Sequence, residues 1–98
     1  MNGTLGKNIL PNERSESGKP NVSIFGMGYV GAVTAACLAA EGHRVIGVDP
    51  SPVKTDLIRQ GLPPIIEKDL PALFRKAKDH GLLTATDDAR DAVLQTEL

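Results

Sequence analysis

Val22-Ser23-Ile24-Phe25-Gly26-Met27-Gly28-Tyr29-Val30-Gly31 is the stretch that decides the fold. Its first four residues are a short branched and aromatic run, the signature of a buried strand, and the run stops at a glycine. From Val30 to Glu41 the spacing becomes helical. Val30, Val33, Thr34, Cys37 and Leu38 fall on one face, and Gly42 is a natural stop. Arg44 to Val48 then reads as a second strand, closed by Asp49-Pro50. Strand, glycine turn, helix and strand within about 30 residues make a βαβ unit.

Gly26-x-Gly28-x-x-Gly31 is weak evidence as a bare string, but here it leaves a strand and opens a helix. Gly26 permits the tight turn, Gly28 lets a pyrophosphate approach the backbone, and Gly31 lets the helix pack closely on the sheet. The helix N-terminus adds free N–H groups and a dipole that favour phosphate charge. Asp49 ends the second strand, where a carboxylate can accept hydrogen bonds from the adenosine ribose hydroxyls. The same carboxylate repels a 2′-phosphate, so the pattern points to NAD rather than NADP. Lys54 is a counter-signal, since a neighbouring lysine offsets part of that repulsion. The alternative is a glycine-rich turn with an ordinary Asp before a turn proline.

Beyond Asp49 the alternation continues. A second helix begins with Ser51 as N-cap and Pro52 at its first position, and ends at Gly61. The prolines of Leu62-Pro63-Pro64-Ile65-Ile66-Glu67 force an extended loop. A third helix follows, with Asp69 as its expected cap, a stripe of Leu70, Leu73, Phe74 and Ala77, and Gly81 as its stop. Leu82 to Thr86 reads as a third strand, and Thr86 or Asp87 as the cap of a last helix through Leu94. This is an α/β chain: an incomplete Rossmann-type doubly wound parallel sheet, with its first three strands and their helices. Residues 1–20 are rich in Gly, Asn, Ser and Pro and read as a disordered extension, leaving 21–98 as the dinucleotide-binding portion.

Composition narrows the function classes. Eleven basic and twelve acidic residues give a net charge of −1, which argues against nucleic acid or a polybasic membrane contact as the main partner. No apolar run reaches membrane-spanning length and no secretory signal is present, so a cytoplasmic location is expected. Cys37 is the single cysteine, which excludes an internal disulfide, and its place on the helical stripe reads as a packed core thiol. His43 and His80, each beside a glycine, read as solvated or capping residues and not as metal ligands. Asp87-Asp88 suits a helix N-terminus, and Arg75, Lys76 and Lys78 suit a solvated helix face. No catalytic constellation is visible.

Taken together, the segment Val22 to Gly31, then Gly47-Val48-Asp49, Lys54, Gln60-Gly61 and Pro64-Ile65-Ile66-Glu67 closely resemble the UDP-glucose/GDP-mannose dehydrogenase family. Ala32-Val33, Ile46 to Asp49 and Asp56-Leu57-Ile58 look most like its GDP-mannose branch, although UDP-glucose enzymes share the framework. The resemblance implies an oligomeric enzyme that oxidises the C6 alcohol of a nucleotide sugar to a carboxylate with two NAD in succession. It places Tyr29, Val30, Asp49 and Lys54, with Gly26, Gly28 and Gly31, at the NAD. The family's nucleophilic cysteine, lysine and asparagine match nothing in this sequence, and Cys37 is not their counterpart. Glu67 matches a family motif without a role legible from sequence, and Lys68-Asp69 replaces the commoner Pro-Gly after it.

The sequence is therefore expected to be the N-terminal part of a dehydrogenase, stopping before a fourth strand. The isolated chain is expected to lack catalysis and to bind NAD weakly at most. Two other classes stay open: a non-catalytic NAD-binding or interaction module, and a different dehydrogenase with a similar first βαβ unit. Tyr29-Val30 and Pro64 to Glu67 argue against the second.

Overall fold

In the computed structural model, which describes residues 18–96, three short runs of branched residues pair as parallel strands. They are β1 (Val22–Phe25), β2 (Val45–Val48) and β3 (Leu83–Thr86), in the order β1-β2-β3. The register sets Val22 beside Val45 and Val45 beside Leu83, so the C-terminal ends Phe25, Val48 and Thr86 lie level. Helices α1 (Tyr29–Ala40), α2 (Pro52–Arg59), α3 (Leu70–Asp79) and α4 (Ala89–Gln95) complete the expected alternation.

Side chains alternate across β2, and that alternation divides the core. Val45 joins Met27, the alanines of α1, Ile58, Leu70 and Phe74 on one face. Ile46 and Val48 meet Ala92 of α4 on the other. The chain thus changes sides after β3, which is the doubly wound pattern. All four residues of β2 are buried, as befits a strand covered on both faces. β1 is less covered than expected: Val22 is buried, but Phe25 is 56% exposed. Among the described residues β1 pairs only with β2, which leaves its outer edge without a ladder partner.

Helix α1 turns a different face to the core than its branched residues suggested. Ala32, Ala35, Ala36 and Ala39 are buried, while Val30, Thr34 and Cys37 are exposed. The reading of Cys37 as a packed core thiol is therefore wrong. The helix is apolar on nearly every side, so periodicity alone could not choose its inner face. Close approach chose it: the small side chains let the axis come down onto the sheet, with Gly31 against the turn below.

Two helix caps also differ from expectation. Asp69 makes no side-chain cap to α3. Glu67 does so from outside the helix, its Oε1 accepting from the N–H groups of Asp69 at 2.7 Å and Leu70 at 3.1 Å. At α4 the cap is Asp88, whose Oδ1 accepts from the Asp91 N–H, while the Thr86 hydroxyl accepts from the Asp88 N–H. Ser51 caps α2 as expected, through the Lys54 N–H. His80 lies at the C-terminus of α3 with Nδ1 2.9 Å from the Lys76 carbonyl. His43 is half-buried, its Nδ1 2.9 Å from the Pro20 carbonyl. Of the expected extension, residues 1–17 lie outside the described residues.

Candidate cofactor site

The level strand ends and the start of α1 converge on one ledge. The Gly26 N–H donates to the Val48 carbonyl at 2.7 Å, carrying the β1–β2 ladder one step past the strand. Gly26 then turns with φ +89, a left-handed conformation that a side chain would strain. The chain enters α1 at Gly28, and no side chain caps that helix. Its first-turn N–H groups lack partners within the helix.

Gly28 and Gly31 do opposite things. A Cβ on Gly28 would have nothing within 4 Å, so this residue faces open space. A Cβ on Gly31 would run into the Gly26 carbonyl oxygen, so here the missing side chain is what lets α1 sit on the turn. Tyr29 and Val30 follow Gly28 on the outer surface, Val30 being 76% exposed. Together they form an uncovered apolar margin at the helix start, Tyr29 being 61% exposed.

Asp49 lies at the tip of β2 and is 6% exposed. One carboxylate oxygen accepts from the Met27 N–H at 2.9 Å and the other from the Ser51 N–H at 2.9 Å. The Met27 and Ser51 N–H groups hold its carboxyl below the usual carboxylate range, and the Lys54 ammonium adds to this while burial pushes back. Lys54 Nζ stands 3.7 Å from Asp49 Oδ2 on a partly exposed side chain. The structure thus brings Gly26, Gly28, Gly31, Tyr29, Val30, Asp49 and Lys54 to one end of the sheet.

Reading the glycines alone misses Met27. Its side chain is fully buried and lies over Gly47, where an added Cβ would stand 2.8 Å from the sulfur. A glycine in the middle of an otherwise branched strand was the available signal, because such a glycine often marks a close approach. These residues fit a dinucleotide: an open glycine face, an uncapped helix start and an ionised carboxylate at the next strand end. Among the described residues no cluster of three or more His, Cys, Asp or Glu could hold a metal, and no helix is long and apolar enough to cross a membrane.

Known proteins match the same stretch. The chain is 53% identical over 77 residues to the GDP-mannose 6-dehydrogenase of Pseudomonas aeruginosa, covering 79% of this chain and 18% of that protein. The solved ternary complex of GDP-mannose dehydrogenase from that organism superposes with a TM-score of 0.77 over 79% of this chain and 18% of that one. A UDP-glucose dehydrogenase from the archaeon Pyrobaculum islandicum also gives 0.77, at 34% identity, over 92% of this chain and 20% of its own. The chain thus spans about a fifth of the length of the proteins it matches. Residues 20–98 match the NAD-binding domain of one dehydrogenase family, and the chain belongs to that UDP-glucose/GDP-mannose dehydrogenase family.

Proposed function

We propose that residues 21–98 form the first part of the NAD-binding domain of a nucleotide-sugar 6-dehydrogenase that oxidises GDP-mannose to GDP-mannuronate. Gly26, Gly28 and Gly31 shape the turn, with Gly28 open to the diphosphate and the N–H groups of the first turn of α1 directed at it. Tyr29 and Val30 supply the apolar margin. Asp49 receives the adenosine ribose hydroxyls, and Lys54 steadies that carboxylate. NAD, when bound, supplies the hydride acceptor for both oxidations at C6. This portion contributes binding and orientation, and the chemical step is left to residues outside it.

The observation that carries this reading is the joint placement of an uncapped glycine turn and an ionised Asp49 at level strand ends. The preference for GDP-mannose over UDP-glucose is supported by 53% against 34% identity, while the equal TM-scores favour neither. Equilibrium titration with NAD and NADP tests the cofactor assignment. The parent chain is expected to bind NAD weakly and NADP at least about tenfold more weakly still, as one unfavourable charge contact of about 1.4 kcal/mol implies. Equal or tighter NADP binding would refute it. Incubation of the full-length dehydrogenase that carries this portion with GDP-mannose and NAD is expected to yield the uronate, and oxidation of UDP-glucose instead would refute the substrate assignment.

A further inference from the structure

Asp49 is already engaged by the protein. Its Oδ2 reaches back 22 residues to the Met27 N–H, in a buried contact, and its Oδ1 takes the Ser51 N–H. An ionised carboxylate has about four acceptor positions, so these two bonds and the Lys54 ammonium 3.7 Å from Oδ2 still leave room for a ribose hydroxyl. The other Met27 contact comes from the same strand: its thioether rests on the bare backbone of Gly47. With the Gly26 N–H on Val48, three successive residues of β2 and its end hold two successive residues of the turn. Helix α1 starts two residues after Met27, so its first N–H groups stand where this attachment puts them.

We infer that Asp49 is a positioning residue for the diphosphate cradle as well as the ribose contact, acting through the Met27 N–H with Gly47 as the seat for the Met27 side chain. This rests on the NAD reading above and deepens it. One negative charge serves both ends of the adenosine diphosphate: directly at the ribose, and through the turn at the phosphates. Asparagine keeps the size of the side chain but offers an amide N–H₂ to one of the two backbone donors. The loop and the carboxylate therefore form a single unit, in which removing the charge moves the phosphate site.

A binding cycle separates the two roles. Parent chain, Asp49→Asn and Gly47→Ala are each titrated with NAD and with NAD lacking the adenosine 2′- and 3′-hydroxyls, following amide resonances. Hydrogen exchange of the Met27 amide is measured without ligand. Asp49→Asn is expected to weaken NAD by about tenfold or more and still to weaken the dideoxy ligand by about threefold or more, because a lost charged hydrogen bond carries penalties of this order. The Met27 amide is expected to exchange about tenfold faster while the Val48 amide keeps its rate. Gly47→Ala, which leaves Asp49 in place, is expected to weaken both ligands by the same factor. Equal dideoxy affinity for Asp49→Asn and parent, or an unchanged Met27 amide, would overturn the inference. Should Asp49→Asn not fold, unchanged NAD affinity in Gly47→Ala overturns it alone. Failure of the parent to bind NAD would instead refute the proposed function and take this inference with it.

Discussion

Alanine at Gly31 and alanine at Gly28 should fail in different ways, and the difference can be worked from the structure. At Gly31 the new methyl meets the Gly26 carbonyl, which is backbone and cannot rotate aside. Relief requires α1 to lift from the turn, loosening the contact of Ala32, Ala35, Ala36 and Ala39 with the sheet. Overpacking costs about 1–3 kcal/mol, and a backbone obstacle belongs at or above the top of that range. Alanine returns about 1 kcal/mol of helix propensity over glycine. The net loss should be about 2–3 kcal/mol, a large part of the ~5–15 kcal/mol that a domain of this size possesses. With a urea slope of about 1–2 kcal/mol/M the midpoint falls by about 1–3 M. At Gly28, φ is −80 and the space is open, so Gly28→Ala should keep stability within about 1 kcal/mol. Its methyl covers the face proposed for the diphosphate, and NAD affinity should fall by about tenfold or more, about 1.4 kcal/mol of binding. Urea unfolding followed by circular dichroism, with NAD titration of each variant, reads both effects. A Gly31→Ala chain as stable as its parent, or Gly28→Ala as the more destabilised of the two, would refute the assignment of roles.

Other consequences are as specific. Because Asp49 is held below its ordinary carboxylate range by the Met27 and Ser51 N–H groups, the unfolded chain binds its proton more readily than the folded one. Its stabilising contribution is complete above about pH 4 and fades as pH falls through the lowered folded value. Urea midpoints should therefore drop more steeply with acid in the parent than in Asp49→Asn, and parallel curves would contradict this. Glu67→Ala removes the acceptor for two N–H groups at the start of α3 and should cost about 1 kcal/mol in urea unfolding. Glu67→Asp, too short to reach both, should lose nearly as much. Cys37 is exposed, so Ellman's reagent should modify it in the native chain at close to the rate for the urea-unfolded chain. Protection by about a hundredfold would restore the core placement. Phe74→Ala empties the largest fully buried side-chain position among the described residues and should cost about 3–5 kcal/mol.

The strand and helix order was legible because each element carries its own punctuation. Gly26, Gly42, Gly61 and Gly81 all take positive φ in turns between elements, and Ser51-Pro52 opens α2 as its chemistry requires. The placement of the candidate site was legible too: the three glycines and Asp49 occupy the strand ends and helix start that their spacing implied. What escaped were contacts set by distance between chain segments. The inner face of α1 could not be read from a helix apolar all round, because the Gly31 approach to Gly26 decides it. Met27 sits at a nominally variable position of the motif, and its importance arises only when Gly47 comes beneath it from another strand. Glu67 caps α3 from two residues upstream of the expected Asp69, since its longer side chain reaches back over both N–H groups. Phe25 looked like core because its neighbours in sequence are apolar, yet it ends the strand at the outer edge of the described sheet.

The most direct test of the central claim is to map where NAD touches the chain, by following backbone amide resonances of the isotope-labelled protein during a titration. The largest shifts are expected at Met27, Gly28, Tyr29, Val30, Gly31 and Ser51, together with the neighbours of Asp49 at the end of β2. At the opposite end, where Ala39, Leu73, Lys76 and His80 line a groove between α1 and α3, resonances should stay still. Shifts concentrated in that groove, with Met27 to Gly31 unmoved at saturating NAD, would contradict the account.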